Sequence, residues 1–236
     1  MRTTNGYVKR VRPKDASTLI VVRQGRKPRI LMGKRAPTHR FMPNKFVFPG
    51  GGLELCDQRL RVTQELNLHV MTRLRKETSK RFSSNRVRGL ALAAIRETYE
   101  ETGLIIGRKA QGKFVTANKI WKGYFNYGVE PPLDQLDFIA RAITPSQRSR
   151  RFDTRFFMVY DDFVQTDPEE LSQASGELTD LHWMTLPEAR NVDLPIITRW
   201  VIDMVEERMK IGKQNQMAQP AHFVRFLNGK TIETMV

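Results

Sequence analysis

The segment Arg96-Glu97-Thr98-Tyr99-Glu100-Glu101-Thr102-Gly103-Leu104 places three carboxylates at the spacing i, i+3, i+4. A helix turns about 100° per residue, so Glu97, Glu100 and Glu101 share one face. Leu92, Ile95 and Tyr99 point the other way and anchor that helix to a core. Like charges at this spacing repel and destabilise a helix. A divalent cation removes the repulsion, and Mg²⁺ or Mn²⁺ takes oxygen ligands of this kind. The competing reading is a solvated acidic face, the commoner explanation of Glu-rich helices. It is weaker here because the acids interrupt an otherwise basic half of the chain. Upstream lies Phe48-Pro49-Gly50-Gly51-Gly52. Glycines let backbone approach a ligand closely and turn amides or carbonyls toward phosphate or metal. Alone the triplet is only a tight turn; beside the acidic helix it gains meaning.

These groups need elements to hold them. The acidic helix is expected from about residue 88 to residue 102, stopping at Gly103 as a left-handed cap. Residues 17–23 and 29–34, separated by Gln24-Gly25-Arg26-Lys27-Pro28, read as a β-hairpin, and 46–48 as a short strand entering the glycines. Residues 58–80 carry Leu60, Leu66, Val70, Met71 and Leu74 among charges and are expected as an amphipathic helix. Further strands are expected at 136–143, 156–160 and 181–184. Thr185-Leu186-Pro187-Glu188 offers a capping box, 196–209 has helical spacing, and the tail from His222 reads as strand, Asn228-Gly229 turn, strand. Strands and helices do not alternate regularly, so a mixed sheet with helices packed on it is expected.

Around the glycines and the acidic helix the sequence resembles the Nudix hydrolase family. That family's motif is Gly, five residues, Glu, seven residues, then Arg-Glu-aliphatic-any-Glu-Glu-any-Gly-aliphatic. Gly51 and Asp57 match the first part, with Asp for Glu; Arg96, Glu97, Glu100, Glu101, Gly103 and Leu104 match the second, with Thr98 for the aliphatic residue. The 38 residues 58–95 stand where the motif has seven, which makes 31 inserted. The resemblance implies an α/β/α sandwich with a mixed sheet and an inserted helical segment. It implies hydrolysis of a nucleoside diphosphate derivative, with Mg²⁺ or Mn²⁺ on Glu97, Glu100, Glu101 and the Gly51 carbonyl. Glu97, Glu100, Glu101 and Arg96 are the expected catalytic set, Arg96 holding a glutamate in place. One domain over residues 1–236 is expected, with 58–88 as an insertion and 213–236 as a C-terminal extension.

The stretch before the glycines is similar to the coenzyme A diphosphatase branch of that family. Leu31-Met32-Gly33-Lys34-Arg35-Ala36, Arg40, Asn44 and Phe48-Pro49-Gly50-Gly51 fall in its register, with Asn44 in place of a glycine. Coenzyme A or an acyl-coenzyme A is therefore the favoured substrate, with Arg35, Arg40, Phe48, Gly50 and Gly51 as its contacts. ADP-ribose, dinucleotides or capped RNA are the alternatives within the family, and a non-catalytic RNA-binding module is the alternative outside catalysis. Glu177 is an outside candidate for an accessory base, with plain loop surface as the commoner explanation.

Composition sets the remaining bounds. Forty Lys and Arg against 25 Asp and Glu give a net charge of +15. Residues 1–45 hold 13 basic residues against the single acid Asp15, a net of +12, and residues 58–95 add a net of +7. Such a field attracts anions, whether small phosphates, RNA or acidic surfaces, with RNA the less favoured partner. The one cysteine, Cys56, excludes an internal disulfide and a cysteine zinc cage. No apolar run suits a membrane helix, no peroxisomal Ser-Lys-Leu ends the chain, and the cytoplasm is the expected compartment. A homodimer is compatible with the sequence.

Overall fold

A computed structural model describes residues 11–39, 42–79, 82–171, 175–227 and 229–236. Strand β1, Lys14–Arg23, is the axis of the sheet: Leu19, Ile20, Val21 and Val22 are all fully buried. Alternate residues of a strand face opposite sides. Leu19 and Val21 accordingly enter one core, Ile20 and Val22 another. Helices therefore cover both faces, as the expected sandwich requires.

The chain continues through β2 (Arg29–Arg35), β3 (Phe46–Val47), β4 (Gly50–Gly52), α1 (Leu55–Arg59), α2 (Leu68–Arg75) and α3 (Ser84–Thr102). Then come β5 (Arg108–Lys109), α4 (Lys119–Phe125), β6 (Val129–Glu130), β7 (Asp137–Ile143), β8 (Phe152–Tyr160) and β9 (Leu178–Thr185). Helices α5 (Leu186–Asn191), α6 (Ile196–Met209) and α7 (Lys213–Gln216) precede β10 (His222–Leu227) and β11 (Lys230–Met235). The main sheet runs β11-β10-β7-β8-β1-β2-β3, with β4 on β1 and β9 on β2. Pairs β1·β8 and β7·β10 are parallel and the others antiparallel, so the sheet is mixed as expected.

The β1–β2 hairpin splays. Val22 pairs with Ile30 at its closed end, but nearer the start of β1 the place beside Ala16–Thr18 is taken by β4. That split brings the glycines under α3. Helix α3 lies on the first core with Leu90–Ile95 fully buried, and α6 lies on the second through Val201, Ile202 and Val205. The Thr185–Glu188 capping box forms, and α6 has the bounds that its spacing predicts.

The segment 58–80 departs from its expectation of one amphipathic helix. Chain from Leu60 to Asn67 separates α1 from α2, and Leu60 and Leu66 are buried from that non-helical stretch. The buried side chain of Arg73 adds a tie that periodicity does not announce. It donates to the carbonyls of Phe138, Met217 and Gln219 and pairs with Asp137 at 3.2 Å. Asp137 also faces Arg208 of α6 at 3.3 Å, so the chain around residues 68–75 and 216–220 is fastened to one buried carboxylate. Asn228, expected in the terminal turn, lies outside the described residues. Among those residues no helix is long and apolar enough to cross a membrane.

Candidate active site

Helix α3 is fixed at both ends. The Ser83 hydroxyl accepts from the Arg86 N–H, and Gly103, at φ +74°, closes the helix with its N–H on the Tyr99 carbonyl at 2.9 Å. Between these caps the helix presents Glu97, Glu100 and Glu101 to the glycine strand β4. Their side chains differ in exposure: Glu100 is 36% accessible and Glu97 15%, whereas Glu101 is buried. Gly50 donates its N–H to Glu101 Oε2 at 2.9 Å. A Cβ at Gly51 would overlap the Glu97 carboxylate, and one at Gly50 would overlap the Ser17 carbonyl. Gly50 is therefore required by close approach to backbone, and a side chain at Gly51 would displace the Glu97 carboxylate.

Arg96 organises the site. Its Nε donates to Asp57 Oδ1 at 2.8 Å and its Nη2 to Asp57 Oδ2 at 3.0 Å and the Gly52 carbonyl at 2.9 Å. Its Nη1 faces Glu97 at 2.9 Å and Glu100 at 3.5 Å. A guanidinium has five N–H donors, and these contacts occupy them all. Burial alone would lower its pKa, but the Asp57 bond and the charges of Glu97 and Asp57 outweigh burial and hold it above the ordinary arginine value. Asp57, fully buried, also accepts from the Trp121 indole at 3.1 Å and from the Glu54 N–H at 3.0 Å.

The glutamates feel their burial. Desolvation pushes Glu97 up to about 7, with Arg96 pulling down and Glu100 pushing up. Desolvation raises Glu101 well above the carboxylate range; the Gly50 N–H opposes this, while the charges of Glu97 and Glu177 add to it. Among the described residues no three His, Cys, Asp or Glu side chains converge ready to hold an ion. Glu97 and Glu100 lean on Arg96 and Glu101 on Gly50. The donor set itself is all carboxylate oxygen beside exposed backbone, which suits a hard divalent cation.

No family model matches the chain. A crystal structure of a NUDIX hydrolase from Alicyclobacillus acidocaldarius superposes with a TM-score of 0.61 at 24% identity, covering 85% of this chain and 96% of that one. The fold is that of the Nudix hydrolases. A Caenorhabditis elegans protein named "Putative nudix hydrolase 7" is 24% identical over 168 residues, 66% of this chain. The chain spans 46% of that relative's length.

Within this Nudix fold the structure brings together most of the expected site residues. Glu97, Glu100, Glu101, Gly50 and Gly51 meet at one place. Arg96, expected in the catalytic set as the residue that holds a glutamate in place, has every donor engaged by protein groups, Glu97 among them. Phe48, expected to touch substrate, is only 5% exposed and packs into the core beneath α6. Arg40 lies outside the described residues. Arg35 ends β2 near Glu101 and Glu177: burial lowers its pKa, and the charges of those two glutamates oppose that. Glu177 is 62% exposed, 3.9 Å from His39.

The sequence left Asp57 without a role because 38 residues separate it from Arg96. The structure closes that gap, and Trp121, which no spacing connects to either residue, completes the nest. Thr98, where the Nudix motif has an aliphatic residue, buries its hydroxyl by donating to the Ala94 carbonyl at 2.8 Å. Cys56 is no nucleophile: burial and the Asp57 charge push its thiol up to about 12.

Proposed function

We propose that the chain is a metal-dependent pyrophosphohydrolase of nucleoside diphosphate derivatives, with coenzyme A or an acyl-coenzyme A as the favoured substrate. The observation that carries this reading is the packing of Glu97, Glu100 and Glu101 against Gly50 and Gly51, with Arg96 locked behind them. Glu97, Glu100, Glu101 and the Gly51 carbonyl would hold Mg²⁺ or Mn²⁺. Bound there, the ion neutralises diphosphate charge and lowers the pKa of water. The chain's own residues do the rest. Arg96, immobilised by Asp57, fixes the Glu97 carboxylate by a charge-assisted bond. The Gly50 N–H holds Glu101 in place. Glu97, held by Arg96, orients the attacking water and accepts its proton.

Two features support the coenzyme A assignment. Asn44, which stands where the coenzyme A diphosphatase pattern has a glycine, has φ +60°. Asparagine is the side chain that best tolerates this left-handed region after glycine. The turn it makes is closed by its N–H on the Arg35 carbonyl at 3.0 Å. Arg35 itself stands beside Glu101, where a cation would meet a substrate carrying a 3′-phosphate in addition to its diphosphate.

The test is mass spectrometry of coenzyme A incubated with the protein and Mg²⁺. Appearance of 3′,5′-ADP and 4′-phosphopantetheine, abolished by chelation and in Glu100→Gln or Glu101→Gln, is the expected result. Intact coenzyme A with turnover of ADP-ribose, a dinucleotide or capped RNA would retain the chemistry and discard the substrate. Near-normal turnover in both variants would remove the carboxylates from the mechanism.

A further inference from the structure

The chain's net charge of +15 is not accounted for by a diphosphate site. Many of its arginines are paired inside the fold. Arg155 pairs with Asp15 at 2.7 Å, Arg141 with Asp153 at 2.7 Å, and Arg73 and Arg208 share Asp137. One group is different. At the end of the sheet where β1 begins and the β7–β8 turn closes, Arg12, Lys14, Arg148, Arg150 and Arg151 come together. Lys14 pairs with Phe152 in register, its N–H donates to the Arg151 carbonyl at 2.9 Å, and Arg151 Nη1 donates to the Val11 carbonyl at 2.8 Å. Residues 11–14 and 144–151 contain no acid. The carboxylates next along the two strands, Asp15 and Asp153, are already claimed by Arg86, Arg141 and Arg155. Among the described residues none of the five cations has an ion pair.

We propose that this end of the sheet binds single-stranded nucleic acid through its phosphates. Five cations without an ion pair among the described residues form a site for a polyanion. The side chains interleaved with them in the β7–β8 turn are Ser146, Gln147 and Ser149, hydrogen-bonding groups of the kind that contact phosphate and sugar. A membrane site would need apolar anchors among the cations; within the two segments the exposed large hydrophobic residue is Val11 alone, at 44%. Among the described residues no helix or long ribbon projects here to enter a duplex groove, so contact is to the backbone of a flexible strand. The patch lies next to the glycine strand along the sheet: Ala16, two residues beyond Lys14, pairs with Gly52. The inference does not depend on the hydrolase reading, since none of the five cations belongs to the carboxylate site.

The test is fluorescence anisotropy of a labelled oligouridylate of about 20 nucleotides, titrated in EDTA at several salt concentrations. Each phosphate neutralised on a single strand contributes about −0.7 to the slope of log K against log salt, so full engagement gives roughly −3.5. Arg148→Ala/Arg150→Ala, both exposed, is expected to reduce the magnitude of the slope by about 1.4 and leave the melting temperature unchanged. Three results would overturn the proposal: no binding at low salt, the same slope in the double variant, or competition by uridine monophosphate at concentrations comparable to the oligomer. Tighter binding to phosphatidylserine vesicles than to the oligomer would also overturn it in favour of a lipid surface. Loss of coenzyme A turnover alone would leave it standing.

Discussion

Replacing Asp57 by Asn tests whether the site is built from behind. The carboxylate accepts four N–H groups: Arg96 Nε and Trp121 Nε1 on Oδ1, Arg96 Nη2 and Glu54 N on Oδ2. An asparagine must turn its amide NH₂ toward one of these pairs, so either orientation sets two donors against a donor. Two hydrogen bonds are lost, one of them to a charged group, and Arg96, only 3% exposed, loses one of its buried counter-charges. Lost bonds of this kind cost about 1 kcal/mol when neutral and 1.5–3 when charged. Breaking a buried pair by removing one partner costs about 3–5 kcal/mol. The two routes overlap at roughly 3–4 kcal/mol. With a urea m-value of about 3 kcal/mol/M, the unfolding midpoint should fall by about 1–1.3 M at unchanged m. Glu65→Gln is the control: Glu65 pairs with Arg88 at 2.6 Å but is 53% exposed, and a surface pair is worth about 0–1 kcal/mol. A midpoint shift in Asp57→Asn no larger than in Glu65→Gln would refute the claim that the buried nest holds Arg96.

Two further outcomes follow from the same geometry. Gly51→Ala places a methyl group in the space of the Glu97 carboxylate; metal affinity measured by titration calorimetry should fall at least tenfold while the fold survives, and unchanged affinity would detach Gly51 from the site. In the metal-free protein Glu97 has its pKa raised from 4.5 to about 7 by burial. The folded state therefore binds more protons than the unfolded state in that window, and this group's contribution to stability declines as pH rises from 4.5 to about 7. Mg²⁺ competes with that proton, so the thermal shift it produces should grow from pH 5 to pH 8; a shift independent of pH would count against Glu97 as a ligand.

Much of this protein is written locally. The helix that carries the glutamates was legible from its apolar positions and its terminal Gly103, because helix periodicity and capping involve residues within four of each other. The Thr185–Glu188 capping box, the first hairpin and the terminal strand pair are legible for the same reason. Local pattern also placed Glu97, Glu100 and Glu101 on one face. Phe48 was expected at the substrate but lies in the core, because the sequence shows residue type and neighbours but not which side of the sheet a side chain meets. The stretch 58–80 was misread as one helix because Leu60 and Leu66 reach the core from irregular chain, and non-local burial can imitate helical spacing.

By itself, then, the sequence determined the three carboxylates, the glycines that accompany them and the secondary elements that bear both. Only the tertiary structure decided what holds them. The Asp57–Arg96 bond spans 39 residues, and Trp121 reaches Asp57 across 64. The splay of β2 from β1 that admits the glycine strand depends on pairings made along the whole sheet. Contacts between residues far apart in sequence leave no periodic trace, because their geometry is set by the packing of the elements that carry them.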